Sequence, residues 1–385
     1  MAPIPAWIWH QTSLIVFLLV ILSIAVHNLW AWRRLSAYEP LGSSPALSVL
    51  IPARNEQRHI VECVRSVLAQ DYDSLEVVVL DDVSSDATAA MVEQLAAEDP
   101  RLRLQRGEPV PAGWVGKNWA CQQLASTATH PLLLFVDADT RLAPDACKRA
   151  VAALLSEGVG LVSVLPRQTV VSWAEVLAVP IMAWSVSSLL PLTLAYRWHT
   201  NALTTASGQF MLFRRDAYEA IGGHHAVRDR VVEDIALARK LGAAGLGWRL
   251  LDGQDRVRCR MYYGFQEVWD GFGKNLFALF DNRVLPFAFV WLWLLVVHWE
   301  PLLWLALALP HLPALAPHAL RAVAALALTI AVWMLTVRRF ALPWYLVLLY
   351  PVLMLFVAAI AARSMLISLA GRGTWKGRAV KAVPR

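Results

Sequence analysis

The chain has 385 residues, of which 57% are hydrophobic and 17% charged, and carries a formal net charge of +6. So apolar a composition excludes an ordinary soluble enzyme, and the lack of a concentrated basic stripe interleaved with aromatics excludes a nucleic-acid partner. The positive balance suits anionic lipid headgroups instead.

Residues 1–32 contain no Lys, Arg, Asp or Glu, and Ser13 to Val26 is almost unbroken aliphatic sequence flanked by Trp7, Trp9, Trp30 and Trp32. An apolar run with tryptophans at both ends predicts a membrane span with interfacial belts, so residues 1–33 read as an N-terminal transmembrane helix. The stretch lacks the basic n-region of a cleaved signal peptide. Arg33 and Arg34 follow it directly, and the positive-inside rule then puts the N-terminus outside and the next block in the cytoplasm, giving a multi-pass protein of the cell membrane.

Residues 34–283 read as a cytoplasmic α/β domain. Leu47–Ile51 is a first buried strand, helical periodicity runs from His59 to Leu68, and Leu75–Leu80 is a second strand stopped by Asp81-Asp82. Ser84, Ser85 and Asp86 are placed to cap a helix running through Leu95. Leu102–Gln105 and Leu132–Val136 add two further strands, and this alternation predicts a Rossmann-like, mostly parallel sheet with helices on both faces. No G-x-G-x-x-G follows the first strand, and Gly113-Trp-Val-Gly-Lys-Asn118 is not a P-loop, because only two residues separate its glycines. Cys63, Cys121, Cys147 and Cys259 show no C-x-x-C spacing and read as buried, reduced and structural.

The most informative feature is the pair Asp137 and Asp139 at the end of the fourth strand. Residues i and i+2 of a strand share a face, so their carboxylates stand about 7 Å apart at the carboxyl end, where open α/β sheets bind ligands. Two hard oxygen ligands there select Mg²⁺ or Mn²⁺, which can in turn hold a nucleotide diphosphate. A solvated turn would use the same residues.

Five segments in order, Ile51-Pro-Ala-Arg-Asn-Glu56, Leu80-Asp-Asp-Val-Ser-Ser-Asp-Ala-Thr88, Val136-Asp-Ala-Asp139, Ser207-Gly-Gln-Phe and Val232-Glu-Asp234, resemble the inverting family-two glycosyltransferases with a GT-A fold. Trp114-Val-Gly-Lys-Asn-Trp119 is similar to the membrane subgroup that glycosylates carotenoid or other isoprenoid lipids, and to proteins found with hopanoid genes. The resemblance covers residues 46–283. It implies that Asp82, with Asp81 beside it, reads the uracil of a UDP-sugar, that Arg54 and Glu56 contact the nucleotide, and that Asp137 meets ribose and metal while Asp139 is the firmer metal ligand. Glu56 and Arg54 would serve equally as a salt bridge between loops, and Lys117 is open between diphosphate partner and surface lysine.

The resemblance also implies that Asp234 is the catalytic base, supported by Glu233, although the first turn of a helix favours an acid for its own sake. Gly208, Gln209, Gln266 and Trp269 are expected at the acceptor. Processive and ceramide-type relatives carry Gln-x-x-Arg-Trp after the base. This chain has Gln266-Glu-Val-Trp-Asp270, without the arginine, which leaves Lys274 as a cation for the diphosphate and argues against repeated elongation of a polymer. Trp269 and Lys274 would also suit interface anchors.

Trp173–Trp198 has one charged residue, Glu175, before Arg197, and is expected as an interfacial segment that admits lipid. His199, His224 and His225 read as loop histidines without zinc spacing. After Arg283, the runs Val284–Leu309, Ala319–Val337 and Ala341–Ala370 make residues 284–370 a C-terminal transmembrane region, before a basic tail, 371–385. Pro351 is a candidate break that would turn the last run into a re-entrant hairpin; the side of the C-terminus stays open.

The expected activity is metal-dependent transfer of a hexose, glucose first, from a UDP-sugar to a carotenoid or other isoprenoid. Sphingolipid, diacylglycerol and polyprenyl phosphate are alternative acceptors, and a noncatalytic scaffold or transporter is the alternative of another class. Nothing in the pattern fixes a number of subunits.

Overall fold

The computed structural model describes residues 6–308 and 316–371, together with the two-residue strands Thr374–Trp375 and Arg378–Ala379; the rest of the basic tail lies outside the described residues. Taken in chain order, α1 (Ala6–Ala31) is the first long apolar helix. Then come β1 (Leu47–Ala53), α2 (Ile60–Leu68), β2 (Leu75–Asp81), α3 (Thr88–Glu98), β3 (Leu102–Arg106), α4 (Gly116–Thr127), β4 (Leu132–Val136), β5 (Thr140–Leu142), α5 (Ala146–Glu157) and β6 (Leu161–Gln168). Trp173–Trp198 forms three short helices, α6 (Trp173–Ala178), α7 (Pro180–Leu189) and α8 (Leu192–Trp198). The chain continues through β7 (Phe210–Arg214), α9 (Arg215–Ala220), α10 (Glu233–Ala243), β8 (Trp248–Cys259), α11 (Phe265–Asn275), α12 (Val284–Ala308), α13 (Ala316–Arg339) and α14 (Leu346–Leu369).

The molecule divides into two compact units. A sheet unit takes residues 32–169 and 193–261, and a helical unit takes α1, residues 170–192 and residues 262–370. The division at 261/262 comes earlier than the change of composition at 283, because α11 packs on α14 and α6.

In the sheet unit eight strands lie in the order β3-β2-β1-β4-β7-β6-β8-β5. Pairings of β1 with β2 and β4, of β2 with β3 and of β6 with β8 are parallel, whereas β7 pairs antiparallel with both β4 and β6, and β5 antiparallel with β8. The sheet is therefore mixed, mostly parallel as its local pattern predicts. The central strands are buried on both faces, as a sheet covered by helices requires: every residue of β4 is buried, as are all but Pro52 in β1 and all but Glu76 in β2. Their carboxyl ends open onto the loops that carry the acids.

Among the described residues four helices of the helical unit are long and apolar enough to cross a membrane: His10–Ala31, Val284–Ala308, Pro317–Arg339 and Leu346–Leu369. Pro351 does not break the last of them. It falls in the second turn of α14, where the missing N–H removes one bond near the helix start, and its carbonyl accepts the indole N–H of Trp299 at 3.1 Å. Ser172 and Glu175 form a capping box at the head of α6: the Ser172 hydroxyl accepts the Glu175 amide at 3.4 Å and donates to the Glu175 carboxylate at 2.6 Å. That carboxylate, 1% exposed, also accepts the amides of Val171 and Gly264, at 2.9 and 3.0 Å, so it ties α6 to the start of α11.

Candidate active site

The floor of the site consists of two loops zipped together at the ends of β1 and β2. The Asn55 side chain accepts the Ser85 amide at 2.8 Å, the Glu56 amide donates to Thr88 Oγ1 at 2.7 Å, and the Gln57 amide donates to the Asp86 carboxylate at 3.1 Å. Of the three residues expected to cap α3, only Asp86 reaches the helix, accepting the Thr88 amide at 3.0 Å; Ser84 and Ser85 turn to Asn55 instead. Val83 sits in the left-handed region at φ 54°, which a β-branched side chain seldom adopts. The Arg54 guanidinium donates to the carbonyls of Asp82 and Val83, at 2.6 and 3.2 Å, and so grips this strained turn.

Asp81 and Asp82 differ in what surrounds them. Asp81 pairs with Arg106 at 3.2 Å and accepts the Ser84 amide at 3.3 Å, so its carboxylate is committed within the fold. Asp82 is 2% exposed at the end of β2, with its amide bonded to the Ala53 carbonyl at 2.8 Å.

The centre is built around Lys117. Its ammonium bridges Asp137 at 2.8 Å and Glu233 at 2.9 Å. It is not an ordinary surface lysine. Burial lowers the affinity of such an ammonium for its proton, but the two carboxylates outweigh that and hold Lys117 well above its ordinary value. Burial pushes Glu233 up, and the Lys117 charge together with the hydrogen bonds from Lys117 and the backbone more than reverses it, leaving that carboxyl below its usual range.

Asp234 is the opposite case. Burial and then the charge of Glu233 raise it to about 7, although its carboxylate accepts the amides of Gly208 at 2.9 Å and Ile235 at 2.8 Å. Two adjacent carboxyls driven apart in this way give one fixed charge and one group that exchanges a proton near neutrality. Gly208 lies against this cluster: a Cβ there would stand 3.3 Å from Lys117 Nζ, a tight fit, and in ordinary contact with Asp234 Oδ2 at 3.4 Å and Glu233 Oε1 at 3.5 Å.

Asp139 stands beside Asp137 after β4. Burial, then the charges of Asp137 and Glu56, push its carboxyl up to about 7. A partly buried acid crowded by two others is where a divalent cation gains most, and Mg²⁺ ordinarily takes only one or two protein carboxylates and completes its shell with phosphate and water. No group of three His, Cys, Asp or Glu among the described residues is arranged to hold a metal alone. The donor set thus fits a cation brought in with a diphosphate, held by Asp139 and Asp137.

Three residues have surroundings that the sequence did not give. Asn118, fully buried, donates through Nδ2 to the carbonyls of Val227 and Arg230 at 2.8 and 2.9 Å, and the Val115 amide donates to Arg228 O at 2.7 Å. The start of α4 therefore holds the loop leading into α10, which is why Lys117 and Glu233 meet. His224 is not a loop histidine. It is 2% exposed, its Nδ1 and the Tyr218 hydroxyl share a hydrogen bond of 2.8 Å, and burial lowers it to about 3, so it stays neutral. Gln209, expected at the acceptor, turns inward: its Oε1 accepts from Gln168 at 2.8 Å and its Nε2 donates to the Cys259 sulfur at 2.9 Å. A signal for Asn118 was present, since it follows Lys117 in a helix start, but its partners lie over a hundred residues away.

The sheet unit thus gathers Lys117, Asp137, Asp139, Gly208, Glu233 and Asp234. Gln266, Trp269 and Lys274 lie on α11 in the helical unit. There Trp269 stacks with Phe265, its carbonyl accepts from Arg363 at 2.9 Å, and Arg363 pairs with Asp270 at 2.7 Å. All four cysteines are buried and free of disulfides.

Comparison with known proteins agrees with this fold. Residues 48–222 match the family described as Glycosyl transferase family 2. A 4,4'-diaponeurosporenoate glycosyltransferase of Staphylococcus aureus is 29% identical over 234 residues, which span 60% of this chain and 60% of the relative. Among solved structures, a mannosyltransferase from Pyrobaculum calidifontis in complex with GDP-mannose and Mn²⁺ superposes with a TM-score of 0.50 over 92% of this chain and 99% of its own, at 22% identity, a likeness of fold. The chain accordingly resembles the family-two glycosyltransferases, and its sheet unit has their GT-A fold.

Proposed function

We propose that this protein is a membrane-bound, inverting glycosyltransferase that moves a hexose, glucose in the first instance, from a UDP-sugar to a lipid acceptor, a carotenoid or other isoprenoid. The observation that carries the reading is the junction at Lys117, where the acids at the end of β4 meet the Glu233-Asp234 pair at the head of α10. Donor-binding acids and a proton acceptor in one cluster are what glycosyl transfer needs. The name of the Staphylococcus relative supports an acceptor of this class, and the four apolar helices support a bilayer location with the sheet unit cytoplasmic.

In this reading Asp82 and the loop gripped by Arg54 receive the base, Glu56 lines the nucleotide side, and Asp137 with Asp139 holds Mg²⁺ or Mn²⁺. The cation, when bound, supplies Lewis-acid neutralisation of the departing diphosphate. Lys117 fixes Asp137 and Glu233 and places a positive charge beside that group. Asp234 takes the proton from the acceptor hydroxyl as the oxygen attacks the anomeric carbon from the face opposite the diphosphate, and a value near 7 suits a general base at neutral pH. Gly208 holds the Asp234 carboxylate in place through its amide. Trp269 and Gln266 serve the acceptor side and Lys274 supports the diphosphate.

Purified protein in lipid nanodiscs, offered UDP-glucose or GDP-mannose with a hydroxylated carotenoid, a carboxylated carotenoid or a water-soluble glycan, tests the reading. A single hexose on the carotenoid is expected with UDP-glucose. Extension of the soluble glycan with no glycolipid formed would overturn it.

A further inference from the structure

A row of polar side chains crosses the sheet beneath the Asp137-Ala-Asp139 turn. β8 is paired on both sides at its end: Cys259 lies opposite Thr140 of β5 and opposite Gln168 of β6. That second pairing depends on an irregularity. Pro166 faces Gly253, so an unbroken register would bring Gln168 against Asp255, but the pairing jumps between Pro166 and Arg167, and Arg258 and Cys259 take the next two places. Gln209 stands just before β7, the other neighbour of β6. Strands β6, β8 and β5 thus deliver Gln168, Cys259 and Thr140 side by side, and Gln209, a turn residue, joins the row through its side chain.

Their hydrogen bonds run in one direction. Gln168 Nε2 has two acceptors, Gln209 Oε1 at 2.8 Å and Pro166 O at 3.4 Å, which fixes the sense of its amide. Gln209 must then point its own Nε2 at the Cys259 sulfur, at 2.9 Å. The sulfur receives that hydrogen, and because Cys259 lies opposite Thr140, the neighbour of Asp139, its single S–H is left for the Asp139 side, where it acts to lower that carboxyl against the effect of burial. The Thr140 hydroxyl reaches Asp139 Oδ1 at 3.4 Å. The backbone of Gln209 does the same for the other acid, since its carbonyl accepts the Asp137 amide at 3.2 Å. One residue therefore holds both acids, Asp137 through its main chain and Asp139 through the thiol.

We propose that Gln209 and Cys259 are positioning residues, forming a relay from Gln168 that sets the orientation of the Asp139 carboxylate for the divalent cation. The inference rests on the proposed cation site. Partners behind a ligand fix its orientation, and their loss typically weakens metal binding by about 10- to 100-fold. Because the sulfur is both acceptor and donor, a hydroxyl of similar size can replace it and a methyl group cannot.

Full-length protein in nanodiscs is titrated with Mn²⁺ in the presence of UDP, reading free Mn²⁺ by electron paramagnetic resonance, for wild type, Cys259→Ser, Cys259→Ala and Gln209→Leu. The expected result is wild-type affinity within about twofold for Cys259→Ser, and a loss of about tenfold for Cys259→Ala and for Gln209→Leu. In turnover the same two variants should raise KM for the donor more than they lower kcat. Melting temperatures are measured alongside, and Gln168→Leu, at the far end of the row, serves as a milder variant with a smaller loss of affinity in the same direction. Equal Mn²⁺ affinity for Cys259→Ser and Cys259→Ala overturns the relay alone. A wild-type protein that binds no Mn²⁺ with UDP removes the cation site and the relay with it.

Discussion

The two units of this molecule satisfy their buried polar groups in opposite ways. In the sheet unit the partners are remote in sequence: Lys117 bridges Asp137 and Glu233, and Asn118 holds carbonyls of residues 227 and 230. In the helical unit they are mostly one turn away. His298 bonds Leu294 O, Thr329 bonds Ala325 O and Thr336 bonds Val332 O, each within its own helix, and Thr336 also meets the Ser187 hydroxyl at 3.3 Å. A long helix satisfies its backbone internally, and a hydroxyl on it readily bonds the carbonyl one turn back. Strand-end loops leave side chains to meet across the fold, which is where charge can be concentrated for chemistry.

The largest expected consequence lies at Asp234. Asp234→Asn keeps the shape but cannot take a proton, so transfer to a hydroxylated carotenoid should fall by roughly 10² to 10⁴ while UDP binding survives. A carboxylated acceptor is already ionised at pH 7 and has no proton to give. With it the same variant should lose far less, and single-turnover rates with the two acceptors separate base catalysis from simple disruption of the site.

Next comes pH. The raised Asp234 must be ionised to act, so kcat/KM with a hydroxyl acceptor should climb about tenfold per unit up to about pH 7 and level off above it. The linkage to stability has the opposite sense. A carboxyl whose folded value lies above its unfolded one binds more protons when folded, so its contribution to stability is lost as pH rises from about 4 to 7. A pH–rate profile that is flat from 5 to 8 would remove Asp234 as the titrating base.

Lys117→Met breaks the comparison from the other side, by leaving Asp137 and Glu233 without their cation. Pairs this far from full burial should cost about 2 kcal/mol rather than the 3–5 of a fully buried pair. Added Mn²⁺ should raise the melting temperature of this variant more than that of wild type, because the freed carboxylates bind it.

The helical unit offers the smaller effects. Asn28 is one of its remote pairings, alongside Glu175 with Gly264 and Ser364 with Phe277: Nδ2 donates to Ser187 O at 2.9 Å and Leu190 O at 2.7 Å while Oδ1 accepts the Leu192 amide at 3.3 Å, together capping the end of α7. Asn28→Leu should cost about 1–2 kcal/mol, whereas Thr329→Val, which removes only a bond within one helix, should change stability by less than about 0.6 kcal/mol. Unfolding in detergent titrations ranks the two, and equal costs would dissolve the contrast between local and remote partners.

The sequence by itself determined whatever depends on near neighbours. Strands β1, β2, β3 and β4 lie where their apolar runs put them, the first long apolar helix and the three after Arg283 follow from hydropathy, and the placing of Asp137 and Asp139 at a strand end needed only the two-residue period. Pro351, read as a break, does not interrupt α14, because a proline so near a helix start removes only one bond. Only the tertiary structure decided that β7 enters the sheet reversed beside β4, that Lys117 is shared between two acids, that His224 is buried, and that Gln209 faces the sheet rather than the acceptor. Each depends on residues brought together from tens to more than a hundred positions apart, where local periodicity carries no information and sheet register decides which side chains meet.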